Sequence, residues 1–123
     1  MSPGAMQSGQ GATLELPALL TDAQGVDFRP YLIRLLAAVK RNWMTVWPDS
    51  ARTGRRGRVG VQFAIAKEGN VTKVVFAFQS GADALDRAAV AAISMSNPFP
   101  PLPTEFKGDR IVLQFDFAYN MPK

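Results

Sequence analysis

Few residues in this sequence have the types and spacing that catalysis requires. The chain of 123 residues contains no histidine and no cysteine, so it lacks the common general base, the thiol nucleophile and the usual zinc ligands. Two carboxylates, Asp83 and Asp86, lie in the first turn of a predicted helix, where they stabilise free N–H groups and complement the helix dipole. We therefore predict that the protein is not an enzyme and uses no metal or cofactor.

The main charge cluster is a run of arginines between two predicted elements. It consists of Arg52, Arg55, Arg56 and Arg58. A solvated loop is the ordinary interpretation of such a run. The alternative is contact with an anionic surface, such as a lipid headgroup, a cell-wall polymer or a nucleic acid. Because no aromatic residues alternate with these arginines, base stacking is poorly supported, and we do not expect nucleic acid as a partner.

Length and composition predict one folded domain. The net charge is +4 and 47% of the residues are hydrophobic, which is typical of a globular protein with a core. No apolar run approaches the roughly 18 residues that a membrane span needs. We expect residues 1–25 to be a flexible leader or linker remnant and residues 26–123 to be the domain. Within the leader, Leu14 and Leu16 alternate around Glu15, which allows a short strand or an extended arm.

Hydrophobic periodicity predicts the elements that must position any site. Helical spacing predicts an amphipathic helix over residues 28–46 and an Ala-rich helix between Ser80 and Pro98. Alternation of apolar and polar residues predicts strands at residues 59–66, 72–78 and 111–119. The order α-β-β-α-β predicts an α+β fold, in which a three-stranded antiparallel sheet has two helices packed on one face.

The first two strands should form a hairpin with a tight turn at Glu68-Gly69. The simplest register pairs Val59 with Phe78, Val61 with Phe76 and Phe63 with Val74. Since this register places both apolar sets on one face, we expect Phe63 and Phe76 to be buried.

The last strand is the strongest candidate for a binding site. An open edge strand with one buried face is a template for a strand from another chain. The candidate edge comprises Ile111, Val112, Leu113, Gln114, Phe115, Asp116 and Phe117. Its backbone would bind the partner, and the outward side chains of Gln114 and Asp116 would tune the preference. An ordinary small sheet also has edges, so the residues alone leave both interpretations open.

Several short segments form a pattern that occurs in a known family. They are Trp47-Pro48-x-x-Ala51-Arg52, Gly57-Arg58-Val59-Gly60-Val61-Gln62-Phe63, Gly69-Asn70-Val71, Ser80-Gly81 with Leu85-Asp86-Arg87-Ala88-Ala89, and Pro98-Phe99-Pro100-Pro101-Leu102-Pro103. Together they resemble the C-terminal domain of TonB family proteins, the periplasmic energy transducers, over about residues 31–120. Trp47 stands where the family usually has tyrosine.

The resemblance implies a periplasmic binding module. In the family, the domain binds the TonB box, a short peptide of an outer-membrane transporter, as a strand beside its last strand. Force from the inner-membrane ExbB–ExbD motor then acts on this pair of strands and drives substrate uptake. The resemblance therefore also implies the ExbB–ExbD complex as a partner, reached through an N-terminal inner-membrane anchor that this sequence lacks. An open edge can pair with itself, so strand exchange in a homodimer is a further expectation.

Three alternatives stay open on the residues alone. The related TolA C-terminal domain shares the fold and two of the segments, and it would imply an envelope-integrity module. The arginine run would imply a module that binds anionic surfaces. Residues 12–25 could themselves cover the last strand and so compete with a partner for it.

Overall fold

The structure is a computed structural model that describes residues 11–121. Its elements are β1 (Ala12–Thr13), β2 (Ala18–Leu19), α1 (Arg29–Thr45), α2 (Asp49–Arg52), β3 (Gly57–Ala66), β4 (Val71–Phe78), α3 (Asp83–Ser96) and β5 (Arg110–Tyr119). The predicted order α-β-β-α-β is confirmed by α1, β3, β4, α3 and β5. Two short strands and a one-turn helix add to it.

Helix α1 forms where apolar residues recur at helical spacing and Pro30 occupies the first turn. The carboxylate of Asp27 accepts the N–H of Arg29 at 3.1 Å, which satisfies one of the free donors at this helix end. The buried stripe consists of Tyr31, Leu32, Leu35, Val39 and Trp43. This stripe lies over the sheet and against α3.

Helix α3 begins at a turn that is held by one buried carboxylate. Asp86 is 4% exposed, and its Oδ1 accepts the backbone N–H of Ser80 at 2.9 Å and the Ser80 hydroxyl at 2.7 Å. Asp83, in contrast, is exposed. Both carboxylates lie in the first turn, as predicted, but the N-cap makes no side-chain hydrogen bond, and Asp86 binds Ser80 in the turn before the helix rather than a free N–H group of the helix.

The sheet is antiparallel, with the strand order β1-β5-β3-β4, and β2 pairs with β5 beside β1. One face carries the helices. Its buried side chains are Val59, Val61, Phe63, Ile65, Ile111, Leu113, Phe115, Phe117 and Tyr119. Phe99, Leu102 and Phe106, from the segment between α3 and β5, complete the same core.

The hairpin register agrees with the prediction in the middle and departs from it at both ends. Val61 pairs with Phe76 as predicted, but Phe78 pairs with Gly60 instead of Val59. At the other end Ala64 pairs with Thr72, and Phe63 does not pair with Val74, so the predictions for both ends are wrong. The register shifts between Gly60 and Val61 and again between Gln62 and Ala64. In β4, Lys73 has a φ of 53°, a left-handed conformation that breaks regular alternation.

This irregular pairing changes which aromatic residues are buried. Phe63 is 1% exposed, as predicted, but Phe76 is 40% exposed, and the prediction that it is buried is wrong. Strand β4 is the last strand of the sheet on its side, and the helices cover mainly β3 and β5. An inward-facing residue of β4 is therefore only partly covered.

The leader prediction is corrected for residues 11–25. Residues 1–10 lie outside the described residues. From Gly11 onward the chain packs on β5, and Leu14 is 5% exposed and belongs to the core. The packed domain therefore includes residues that the composition alone assigned to a linker.

Two tyrosines tie the helices to the rest of the fold. The Tyr119 hydroxyl donates to the carbonyl of Leu85 at 2.8 Å and accepts the indole N–H of Trp43 at 2.8 Å. Burial raises the pKa of Tyr119 to about 12; the Trp43 hydrogen bond opposes this rise and the charge of Asp86 adds to it. Burial likewise raises the pKa of Tyr31 to about 12, although the nearby Arg34 acts in the opposite direction. Tyr31 donates to the carbonyl of Pro100 at 2.7 Å.

These raised pKa values predict alkaline destabilisation. Below pH 10 both tyrosines are neutral in the folded and unfolded chain, so they add no pH dependence. Between pH 10 and 12 the unfolded chain loses phenol protons that the folded chain keeps, and the free energy of unfolding should fall by no more than about 2 kcal/mol for each tyrosine. Urea unfolding at a series of pH values measures this fall. Tyr31→Phe should remove about half of this fall, since Tyr119 keeps its own contribution. A fall of unchanged size in that variant would contradict the assignment.

Candidate strand-addition site

Strand β5 supplies the backbone that was predicted as a docking edge. It pairs with β3 through ten residue pairs, from Gly57 and Tyr119 to Ala66 and Arg110. The inward side chains from Ile111 to Tyr119 are fully buried. The strand is therefore held along one side by a continuous ladder and along one face by the core.

The other side of β5 is not vacant, which corrects the prediction of an open edge. Strand β1 pairs antiparallel with Tyr119 and Ala118, and β2 pairs antiparallel with Gln114 and Leu113. The N–H of Leu20 donates to the carbonyl of Val112 at 2.8 Å. We call residues 11–21 the arm. Since the arm lies against β5, the outer strands of this sheet among the described residues are β4 on one side and the short strands of the arm on the other.

Backbone directions show which groups of β5 face the arm. Val112 accepts from Leu20, and its own N–H donates to the hydroxyl of Thr21 at 2.8 Å. At the other end, the N–H of Asn120 donates to the carbonyl of Gly11 at 2.7 Å. Because alternate residues of a strand point their backbone groups to the same side, Gln114, Asp116 and Ala118 also face the arm.

The arm leaves a gap between its two short ladders. Residues 14–17 connect β1 to β2, and no strand residue among those described pairs with residues 115–117 on this side. A cleft of about 440 Å³ lies here. It is lined by Thr13, Glu15, Leu16, Ala18, Arg58, Gln114 and Asp116. The backbone of Asp116 thus faces a cleft that contains both a guanidinium group and carboxylates.

The outward side chains of β5 form a hydrogen-bonded row. The amide of Gln62 on β3 donates to Gln114 Oε1 at 2.9 Å, and the amide of Gln114 donates to Asp116 Oδ1 at 2.8 Å. Asp116 is exposed and Gln114 is half-buried. Both predicted tuning residues therefore lie together on the outer face of the sheet, next to the cleft.

Asn120 is a structural residue of this site that the sequence interpretation missed. It is 5% exposed, and its side-chain amide donates to the carbonyls of Ala51 at 2.9 Å and Arg55 at 2.8 Å. Its Oδ1 accepts the N–H of Gly11 at 2.9 Å. A single polar side chain thus joins the arm, the α2 region and the end of β5. A polar residue directly after an alternating strand was the available signal.

The comparisons with known proteins bear on this arrangement of strands and helices. Residues 46–121, more than half of the chain, match the family model described as the C-terminal domain of the Gram-negative bacterial TonB protein. The chain belongs to the TonB C-terminal family. It is also similar to the NMR solution structure of the TonB C-terminal domain from Helicobacter pylori, with 25% sequence identity and a TM-score of 0.55. That similarity covers 82% of this chain and 92% of the other. No curated protein matches the sequence.

Membership of the TonB C-terminal family gives the fold a general role. The family implies a periplasmic, non-catalytic interaction domain that acts with outer-membrane transporters. Among the helices described here, none is long and apolar enough to cross a membrane. In residues 11–121 the structure brings together no group of three or more acidic residues that could hold a metal ion.

Strand β4 is the second place where this TonB-family domain could accept a strand. Its exposed residues include Val75 at 54% and Phe78 at 38%. Gln62 and Gly60 of β3 pair with these two residues, so β4 is bonded on one side. The left-handed Lys73 interrupts β4 at its third residue, close to the turn from β3, and such an irregularity impedes regular pairing with a further strand over this part of β4.

The arginine cluster lies apart from the outward row of β5, except at one residue. Arg52 ends α2, Arg55 and Arg56 lie in the following loop, and Arg58 lies in β3. All four arginines are exposed. Arg58 lines the cleft beside Asp116, whereas the Nε–H of Arg56 donates to the carbonyl of Asn120 at 3.2 Å. Contact of these arginines with an anionic surface stays a prediction.

Proposed function

We propose that this domain binds the TonB-box peptide of an outer-membrane transporter by strand addition on β5. In this proposal it passes force from the inner-membrane ExbB–ExbD motor to the transporter and so drives substrate uptake. The partner pairs with the backbone of residues 111–117, and the side chains of Gln114 and Asp116 tune which peptides are preferred. The TonB family match favours this role over a TolA-like envelope-integrity role.

The observation that carries the proposal is the pairing of the arm with β5. The arm is a short extended segment, and it is held on this side of β5 by backbone bonds at Gln114 and Val112. A segment of the same chain thus already pairs with this side of β5 in an antiparallel geometry, which supports the use of this side for an added strand. Backbone ladders demand little of the added sequence, which suits a module that serves several transporters.

The support behind β5 suits a role under load. Ten residue pairs join it to β3, and its inward side chains are fully buried. Force along an added strand would act on several backbone hydrogen bonds at once. The hydrogen bonds between β5 and β3 are more numerous than those that a short peptide can make with β5. The peptide should then leave before β5 does.

Titration of the isotope-labelled chain with a TonB-box peptide tests the proposal. We expect the largest changes in backbone amide shifts at Val112, Gln114 and Asp116, since these groups face the added strand. Arm residues around Leu20 should also shift, because the arm and the peptide meet at the same edge. Changes confined to β4, or no changes, would contradict strand addition on β5.

A matched peptide distinguishes backbone pairing from side-chain contact. The same TonB-box sequence with N-methyl groups on alternate residues keeps its side chains and loses the N–H donors that face β5. Loss of two backbone hydrogen bonds should weaken binding by about tenfold or more. Equal affinity for the two peptides would mean that binding does not depend on a backbone ladder.

A further inference from the structure

We infer that the arm is a built-in competitor for β5, and that its residues 18–21 must leave the strand before a partner peptide can pair with residues 111–114. This inference rests on the proposed function. The carbonyl and the N–H of Val112 are already bonded to Leu20 and Thr21. Since each N–H can support one such ladder bond, the arm and an added peptide exclude each other there.

The two ends of the arm are held unequally. At the first end, Gly11 exchanges hydrogen bonds with Asn120 at 2.7 Å and 2.9 Å, and Leu14 is buried in the core. At the second end, Leu19 is only partly buried against the core, Ala18 is exposed and Leu20 is 50% exposed, so backbone bonds contribute more to the attachment than at the first end. A segment with few buried apolar contacts opens locally at a low free energy. The second end therefore releases first.

The cleft beside Asp116 gives a partner strand a place to begin. Here the arm runs away from β5 over residues 14–17, and the backbone of Asp116 faces open space. A peptide pairs first at Asp116 without displacing the arm. It then extends along β5 towards Ile111 as residues 18–21 leave. The order of events is thus set by the gap in the arm's own pairing.

This arrangement makes the arm a control on affinity. When only the arm-released state binds, the apparent dissociation constant rises in proportion to the inverse of the released fraction. A substitution in the arm should then change peptide affinity although the peptide touches none of the substituted atoms in the final complex. Such a change separates competition by the arm from direct contact with the peptide.

A disulfide that locks the arm gives the sharpest test. The chain has no cysteine, so Ala18→Cys with Gln114→Cys creates a single pair across the ladder, where Ala18 and Gln114 are directly opposite. Cα atoms of such hydrogen-bonded pairs lie about 5.5 Å apart, within the range of disulfides. Because Gln114 is itself a proposed tuning residue, the reference is the Gln114→Cys single variant. The oxidised double variant should bind the TonB-box peptide at least about tenfold more weakly than this reference, and reduction of the same sample should make the two affinities equal. A dispersed amide spectrum of the oxidised form checks that it is folded.

Two substitutions at Thr21 test the effect of weakening the attachment of the arm to β5. Thr21→Val removes the hydroxyl that accepts the Val112 N–H and keeps the side-chain shape, whereas Thr21→Ser keeps the hydroxyl. Loss of one hydrogen bond should tighten peptide binding by about twofold to tenfold in Thr21→Val and leave Thr21→Ser close to the parent chain. Leu20→Pro, which removes the N–H that donates to Val112, should act in the same direction.

The outcomes separate this inference from the proposed function. Equal peptide binding by the oxidised and reduced forms, with amide shifts on β5, would overturn competition by the arm and leave strand addition intact. No binding by the parent chain, by Thr21→Val or by Leu20→Pro would overturn strand addition itself, and the inference with it. Binding that is blocked by the lock and strengthened by release of the arm supports both.

Discussion

Replacement of Phe63 by alanine should lower the free energy of unfolding by about 3–5 kcal/mol. The Phe63 ring is 1% exposed and lies parallel to the ring of Phe115, with 6.0 Å between their centroids. It also stacks on Phe99 at 6.1 Å. One side chain thus joins β3, β5 and the proline-rich segment before β5, and its removal leaves a cavity that three elements would have to fill. Equilibrium unfolding in guanidinium chloride measures the loss.

Phe76→Ala is the matched control for this prediction. It removes the same atoms from the neighbouring strand, but Phe76 is 40% exposed and makes fewer buried contacts. We expect a loss of about 1–2 kcal/mol, well below that for Phe63→Ala. Similar losses in the two variants would mean that the inner face of β4 is covered as well as that of β3.

The elements of the fold were predictable because their signals are local. The stripe on α1 and the alternation in β3 and β5 repeat over many residues, so a single unusual residue does not alter the prediction. The register of the hairpin was less accessible. It shifts at two places, between Gly60 and Val61 and between Gln62 and Ala64, and only the second lies beside the left-handed Lys73. A lysine gives no sequence signal for such a conformation, because glycine and asparagine are its usual carriers.

The arm shows why the site could be predicted only in part. The strand that carries it, residues 111–117, was identified by its alternation. Its partners Ala12–Thr13 and Ala18–Leu19 are two residues long and lie about a hundred positions away, on either side of Pro17. Strands this short have no periodicity, and a proline between them argues against one continuous strand. Their pairing is a tertiary property of the folded chain.

Coverage of β5 also has a physical benefit before any partner binds. An uncovered β5 would present a long, regular and largely apolar edge, which is a template for self-association. Strand β4 is uncovered but is interrupted at Lys73. The two sides of the sheet are thus protected differently: one by an irregular strand, the other by the arm. In our inference the arm leaves when a partner binds, which is why β5 rather than the distorted β4 is the proposed docking strand.

Gly69→Ala should destabilise the fold by about 3 kcal/mol, although it adds only one methyl group. Gly69 lies in the β3–β4 turn with a φ of 107°, and its N–H donates to the carbonyl of Ala66 at 2.8 Å. A Cβ at this position would overlap the backbone carbonyl oxygen of Phe99. The same turn accepts the N–H of Phe99 at 2.9 Å, so the clash would push the proline-rich segment away from the hairpin. Phe99, which stacks on Phe63, would move with it.

Gly81→Ala separates the cost of placing alanine at a positive φ from the cost of the overlap with the Phe99 carbonyl oxygen. Gly81 has a φ of 89°, but a Cβ there would have no atom within 4 Å. This variant bears the conformational cost alone, and the reduced entropy of its unfolded chain offsets part of that cost, so we expect a loss of about 1 kcal/mol. Thermal and chemical unfolding of the two variants measure the difference. If Gly69→Ala is as stable as Gly81→Ala, the hairpin turn and the proline-rich segment are not packed together. That result would also contradict the contact between Phe99 and Phe63, which supports β5.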